Sequence, residues 1–117
     1  MKALSKNVLI VDEDLAIQAR LKNFLESLGF PVLTARDVEE AFRLLRKNFC
    51  TLVLTGYMMP GKTGAELIRL VKANYPYLKA WGMSSLEKKE AFYQAGADFV
   101  LEKPFILSKL IALLKTV

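Results

Sequence analysis

The consecutive residues Gly56-Tyr57-Met58-Met59-Pro60-Gly61-Lys62-Thr63 satisfy the spacing G-x-x-x-x-G-K-T. That spacing belongs to loops whose backbone N–H groups wrap nucleotide phosphates, with the lysine on the phosphates and the hydroxyl on magnesium. Elsewhere, polar groups follow short apolar runs: Asp12 and Glu13 after Val8 to Val11, Ser84 and Ser85 after Leu78 to Met83, and Lys103-Pro104 after Phe99 to Leu101. The chain has no histidine, which excludes His-based general catalysis, His-metal sites and phosphohistidine transfer from its own residues. Its one cysteine, Cys50, has no partner for an internal disulfide, so buried packing in a reducing cytoplasm is its expected role.

The elements that position these groups are read from hydrophobic period. Val8 to Val11 is a β-branched run without alternation, as in a strand buried on both faces. Ile17, Leu21, Phe24, Leu25 and Leu28 recur at helical spacing up to Gly29, and Phe30 to Thr34 reads as a second strand. Asp37 and Glu40 form a capping box opening a helix with Val38, Ala41, Phe42 and Leu45 inward; Thr51 to Thr55 is the third strand. Thr63 and Glu66 form a second box, for a helix burying Leu67, Leu70 and Val71, and Leu78 to Met83 is the fourth strand. Ser84 and Glu87 supply a third box for the helix containing Phe92 and Ala95, which Gly96 ends. Phe99 to Leu101 is the fifth strand, and Leu107, Leu110, Ile111 and Leu114 stripe the last helix.

At 117 residues with 53% hydrophobic content, the chain has the size and apolar content of one self-sufficient domain, taken as 1–117. Strict strand-helix alternation requires long crossovers, hence a three-layer α/β domain with a parallel sheet between helices. In such folds the working surface lies at the carboxyl ends of the strands. There Asp12, Glu13, Gly56, Tyr57, Ser84, Ser85 and Lys103 converge.

With its polar edge assembled, the chain resembles the receiver domain of bacterial response regulators. The likeness rests on Val8-Leu9-Ile10-Val11-Asp12-Glu13, Met58-Met59-Pro60-Gly61 with Gly64, Ala95-Gly96-Ala97 and Lys103-Pro104-Phe105, in order over essentially the whole chain. The resemblance implies a flavodoxin-like strand order, 2-1-3-4-5, with five helices. It also implies phosphoryl transfer from a partner kinase's histidine to an aspartate, with magnesium on the acidic pair, Lys103 as a further cation and a Ser or Thr sensing the phosphate. The physical reasons are plain. A carboxylate nucleophile needs no deprotonation at neutral pH, and a hard cation and a lysine neutralise phosphoryl oxygens.

Departures from the pattern set the functional expectation. The position of the acceptor aspartate is Gly56, and Thr51 to Gly61 contains no Asp or Glu. Thr55 and Tyr57 are weak nucleophiles without an activating base, and Thr55 is expected on the other side of its strand. Gly56 also removes a magnesium ligand, and Glu13 stands where the family usually has Asp, so the metal residues Asp12 and Glu13 are expected to bind magnesium weakly or not at all. Ser84 matches the switch hydroxyl but stands about three residues closer to Lys103 than the family spacing. Val100, three before Lys103, replaces a mobile aromatic, with Phe99 one residue earlier.

The expectation is therefore a degenerate receiver: no phospho-acceptor, no enzymatic activity, no obligatory cofactor, and a pocket of Asp12, Glu13, Gly56, Ser84 and Lys103 held structurally. Lys103 would pair with Asp12 or Glu13, Lys103-Pro104 would keep the family's cis peptide, and Phe105 would pack in the core. The expected partner is a signalling protein, met through the last two helices and the fifth strand, or a second copy in a homodimer. A formal charge of +5, dispersed along the chain, gives no expectation of direct nucleic-acid binding, and no segment is long enough to address a membrane, so the cytoplasm is the expected location. The competing readings are a conventionally phosphorylated receiver and a nucleotide-binding loop over 56–63. Against the loop stand bulky Met58 and Met59, Pro60 without an N–H, no Asp in Leu78 to Met83, and a capping role for Thr63.

Overall fold

A computed structural model describes residues 7–102 and 107–115, with the side chains of Leu86, Leu107 and Ser108 outside the description. The strands are β1 (Asn7–Val11), β2 (Val32–Ala35), β3 (Cys50–Gly56), β4 (Lys79–Ser84) and β5 (Phe99–Glu102). The helices are α1 (Leu15–Ser27), α2 (Val38–Lys47), α3 (Gly64–Asn74), α4 (Lys89–Gln94) and α5 (Leu107–Leu114). All strand pairs are parallel, in the order β2-β1-β3-β4-β5. This is the flavodoxin-like three-layer arrangement, and its switch point lies where β1 and β3 adjoin.

Each strand of the sheet buries alternate residues against opposite layers. Val8 and Ile10 of β1 pack with Leu21 and Leu25 of α1 and with Leu110 and Leu114 of α5. Leu9 and Val11 face the other way, onto Ala41 and Leu45 of α2 and Leu67 and Val71 of α3. A third cluster joins Ala65 and Ile68 of α3 to Phe92 of α4 and Val100 of β5.

Four local expectations are corrected. β2 begins at Val32, because the Phe30 N–H turns back to the Leu25 carbonyl (3.1 Å) and closes α1 together with Gly29, whose φ is +93°. Leu28 caps α1 and is 42% exposed, outside the apolar stripe. In α3, Ile68 is the buried residue and Leu70 is exposed: the neighbouring helix α4 covers the side of α3 on which Ile68 lies. The Ser84–Glu87 capping box does not form. Ser84 ends β4 with its hydroxyl donating to the Ser85 carbonyl (2.7 Å), a single 3-10 turn spans Leu86–Lys88, and α4 starts at Lys89 without a side-chain cap.

The other two boxes differ in completeness. Thr63 Oγ1 accepts the Glu66 N–H (3.1 Å) while Glu66 Oε1 accepts the Thr63 N–H (2.8 Å), a full reciprocal cap. Asp37 accepts the Glu40 N–H (2.9 Å), but Glu40 reaches one residue farther, to the Arg36 N–H (2.8 Å).

Candidate functional site

The carboxyl ends of β1, β3 and β4 border a cleft of about 330 Å3. Of the residues expected there, Asp12, Glu13, Gly56 and Ser84 all line it. Lys103, Pro104 and Phe105 lie outside the described residues, as do the pairing, cis-peptide and core-packing expectations attached to them.

Asp12 is held from three directions. Its N–H donates to the Ala35 carbonyl (3.0 Å), its Oδ1 accepts the Asp14 N–H (2.9 Å), and its carbonyl accepts from Gln18 Nε2 (2.6 Å). The same Gln18 amide also donates to the Ala35 carbonyl (3.0 Å), so one buried side chain from α1 ties the ends of β1 and β2 together. Asp14 is committed to the α1 N-terminus, where its Oδ1 accepts the Ala16 N–H (2.9 Å). Glu13 is exposed at the rim.

Gly56 ends β3, buried at the floor of the cleft, and the Asp12 side chain lies over it. A Cβ placed on Gly56 would fall on Asp12 Oδ2 and stand 3.2 Å from its Cγ. On its other side Gly56 is just as close to Gly64: a Cβ on Gly64 would fall on the Gly56 carbonyl oxygen, and the Gly64 N–H donates to the Tyr57 carbonyl at 2.7 Å. Two glycines thus let the end of β3 sit tightly between β1 and α3. Thr55 is buried away from the cleft, its hydroxyl donating to the Gly56 carbonyl (2.9 Å) and facing Met59 Sδ (3.9 Å).

On the β4 side, sequence reasoning missed a packed aromatic unit. Lys88 lines the cleft with its Nζ 4.8 Å from the Tyr57 ring centroid, and the Tyr57 ring meets Phe92 edge-on at 5.6 Å. Phe92, fully buried, lies flat on Gly82 of β4: a Cβ there would stand 2.5 Å from the Phe92 Cγ. The Tyr93 hydroxyl accepts the Val100 N–H (3.2 Å), and Lys89 bridges α4 to Glu102 of β5 (2.9 Å). The signal for this unit was a glycine inside a strand pattern, which marks close approach of another group. Phe99, the aromatic beside Val100, packs on the opposite layer with Trp81 at 6.4 Å.

The donors available to a cation are few. Among the described residues no three His, Cys, Asp or Glu side chains are grouped to hold a metal. Asp12 Oδ1 and Asp14 Oδ1 already accept backbone N–H groups, and the carboxylate that β3 would contribute is absent at Gly56. The octahedral, oxygen-rich shell that magnesium requires does not fit this set.

The G-x-x-x-x-G-K-T segment is not built as a phosphate cradle. The Thr63 N–H is taken by Glu66 and the Gly64 N–H by Tyr57, the Thr63 hydroxyl caps α3, and Lys62 lines a separate cleft beside Phe42 and Arg46. Hydrogen bonding to the Thr63 N–H lowers the Glu66 carboxyl from its ordinary value and commits that N–H to the cap. The spacing match is thus accounted for by ordinary helix capping.

The sequence profile of the response regulator receiver domain matches residues 8–115. The chain is 34% identical over 114 residues to the transcriptional regulatory protein PrrA of Mycobacterium tuberculosis, covering 95% of this chain and 49% of PrrA. It is 29% identical to the phosphate regulon transcriptional regulatory protein PhoB of Pseudomonas aeruginosa, covering 97% of this chain and 52% of PhoB. The chain therefore spans about half the length of these curated relatives. Among solved structures, a CheY-like response regulator receiver domain protein from Methanospirillum hungatei superposes with a TM-score of 0.87 at 30% identity, over 97% of this chain and 93% of that one. The signal receiver domain of an HD domain-containing protein from Pseudomonas fluorescens shares the fold at a TM-score of 0.90 and 22% identity, over 99% and 88% of the two chains.

Proposed function

The chain belongs to the response regulator receiver family of two-component signalling, and from that premise we propose that it is a receiver without an aspartyl-phosphate cycle, acting as a protein-interaction module. The observation that carries this reading is Gly56, with the Asp12 side chain occupying the space of the missing one. A phosphoryl group needs a nucleophilic oxygen at the end of β3, and glycine has no side chain to offer. The incomplete donor set supports weak magnesium binding or none, and no enzymatic activity of the chain's own.

The readout elements support the same reading. Phe92 fills the space over Gly82, and Val100, not an aromatic, faces it from β5. α4 is tied to β5 through Tyr93–Val100 and Lys89–Glu102, and among the described residues of β5 the one packed against Phe92 is Val100, which offers no ring to follow a switch hydroxyl. Regulation then comes from partner binding, assembly or abundance, with the surface of α4, β5 and α5 as the contact face. Among the described residues no helix is long and apolar enough to cross a membrane, in keeping with the proposed cytoplasmic location.

Incubation with acetyl phosphate and magnesium, followed by intact-mass measurement, tests the proposal. The expected result is an unchanged mass, with an unchanged amide NMR spectrum in beryllofluoride and magnesium. A phosphoryl adduct on this chain overturns it.

A further inference from the structure

We propose that the edge of the sheet opposite the cleft, where the strands begin, binds single-stranded nucleic acid through a stacked aromatic pair, Phe49 and Tyr77, flanked by uncommitted cations. The charges look dispersed along the chain, but between Ala41 and Ser85 there are seven Lys and Arg against one acid, Glu66. The fold gathers part of this excess. Asp12, Glu13, Asp14 and Glu87 line the cleft with a single lysine, Lys88, whereas the end of α2 and the starts of β3 and β4 bring Arg46, Lys47 and Lys79, all three exposed, toward the other edge, where the acid Asp98 is already paired with Lys72 (3.0 Å); Arg46 also lines the second cleft beside Lys62. The whole chain has a pI near 9.4, the electrostatic footprint expected of a nucleic-acid-binding domain when its cations are gathered.

The aromatic rings there form a continuous chain. Phe42 meets Tyr75 at 6.1 Å, Tyr75 meets Tyr77 edge-on at 6.4 Å, and Tyr77 stacks on Phe49 at 5.8 Å with the planes 7° apart. Tyr77 is 59% exposed and Phe49 43%, so the outer pair is presented to solvent and not enclosed in the core. Each carries a lysine two residues away, Lys47 before Phe49 and Lys79 after Tyr77.

The cations are free to act. Among the described residues Arg46, Lys47 and Lys79 make no ion pair. Nor are they needed to cap helices: the Asn48 amide donates to the Leu44 carbonyl (2.9 Å) and the Asn74 amide to the Leu70 carbonyl (2.8 Å), satisfying last-turn carbonyls of α2 and α3. The two helix ends present roughly half a negative charge each, which opposes an anion, but three full positive charges outweigh them.

Single-stranded nucleic acid fits this surface better than an acidic polypeptide. The ring pair offers flat π-faces, not a concave pocket for an apolar anchor, and cation and ring alternate as phosphate and base do along a strand. In a duplex the bases are stacked on one another and unavailable to the rings.

Fluorescence anisotropy of a labelled twelve-nucleotide oligo(dT) with the intact chain tests the proposal. Saturable binding is expected, weakening roughly 20-fold between 50 and 200 mM salt for three phosphate contacts. Phe49→Ala with Tyr77→Ala is expected to weaken binding about tenfold or more, and Lys47→Gln with Lys79→Gln to flatten the salt dependence. All four are exposed positions, and circular dichroism checks that each variant is folded. Absence of saturable binding, insensitivity of folded variants to either pair of substitutions, or equal competition by polyglutamate or by duplex DNA would each overturn the proposal. None of these outcomes depends on whether the chain accepts phosphate.

Discussion

The Asp12 carboxylate lies where a Cβ on Gly56 would stand, so that any side chain at position 56 requires that carboxylate to shift. Gly56→Ala is therefore expected to destabilise the fold by about 1 kcal/mol, the steric cost exceeding the gain in β-strand propensity. In an Asp12→Ala background the same substitution meets no carboxylate and is expected to become neutral or stabilising. Urea denaturation of the four proteins gives the coupling; additive values would mean that Asp12 does not occupy that space.

Restoring the acceptor alone is expected to leave the switch inert. Gly56→Asp sets a second carboxylate against Asp12, and two such groups repel when both are ionised. Even if the variant takes up phosphate from acetyl phosphate, Phe92 stays packed over Gly82, and the β5 residue facing it is Val100, which has no ring to relocate. The amide shifts of β4, α4 and β5 are expected to stay in place by NMR, and displacement across all three would refute the locked arrangement.

Gly82 and Phe92 are matched in the same way. A Cβ at Gly82 would stand 2.5 to 2.7 Å from three Phe92 ring carbons, and backbone confines Gly82 within the sheet. Gly82→Ala is expected to cost about 2 kcal/mol by overpacking, and Phe92→Ala about 3 kcal/mol by leaving a void. The double variant is expected to cost clearly less than both together, since the new methyl group enters the vacated space. Thermal or chemical denaturation measures the cycle.

What could be read from the sequence follows the range of the interactions. The Thr63–Glu66 cap was legible because both partners lie within one turn and need nothing else. The cleft residues Asp12, Glu13, Gly56 and Ser84 were legible because alternating strands and helices put strand ends on one edge. Ser84–Glu87 failed for the opposite reason: Ser84 is buried as the last residue of β4, and tertiary packing overrides the local cap. Leu70 and Ile68 have similar hydrophobicity, and only the placement of α4 decides between them. Gln18 reaching across two strand ends, and Lys88 over Tyr57, join residues whose proximity no periodicity encodes.

Tyr93→Phe isolates the tie between α4 and the edge strand β5. It removes the acceptor of the Val100 N–H without changing ring volume, at an expected cost of about 0.5 to 1 kcal/mol, since water can replace part of the bond at a 40% exposed tyrosine. Hydrogen exchange is expected to accelerate at Val100 more than at Val53 in the centre of the sheet. Equal protection at Val100 in both proteins would show that the hydroxyl contributes nothing there.

The pH dependence of stability carries a signature of the α3 cap. Glu66 has its carboxyl lowered from 4.5, first by the Thr63 N–H and then by the Thr63 hydroxyl and the nearby charges of Lys62 and Arg69. A carboxyl lowered by folding contributes stability that is present above its unfolded value and is lost as pH falls through its folded value. Glu102, lowered chiefly by its hydrogen bond to Lys89, acts in the same acid window. Lys89, raised by the same partner, contributes below its unfolded value, and that part disappears only as pH rises past its folded one. Glu66→Gln is therefore expected to lower Tm at pH 7 and to lose most of its difference from the parent as pH falls below 4.5. Glu102→Gln is expected to add a second difference that closes in acid and also in strong alkali. Melting curves from pH 3 to 11 check both; a Tm gap for Glu66→Gln that is constant down to pH 3 would mean the carboxylate charge does not contribute through the cap.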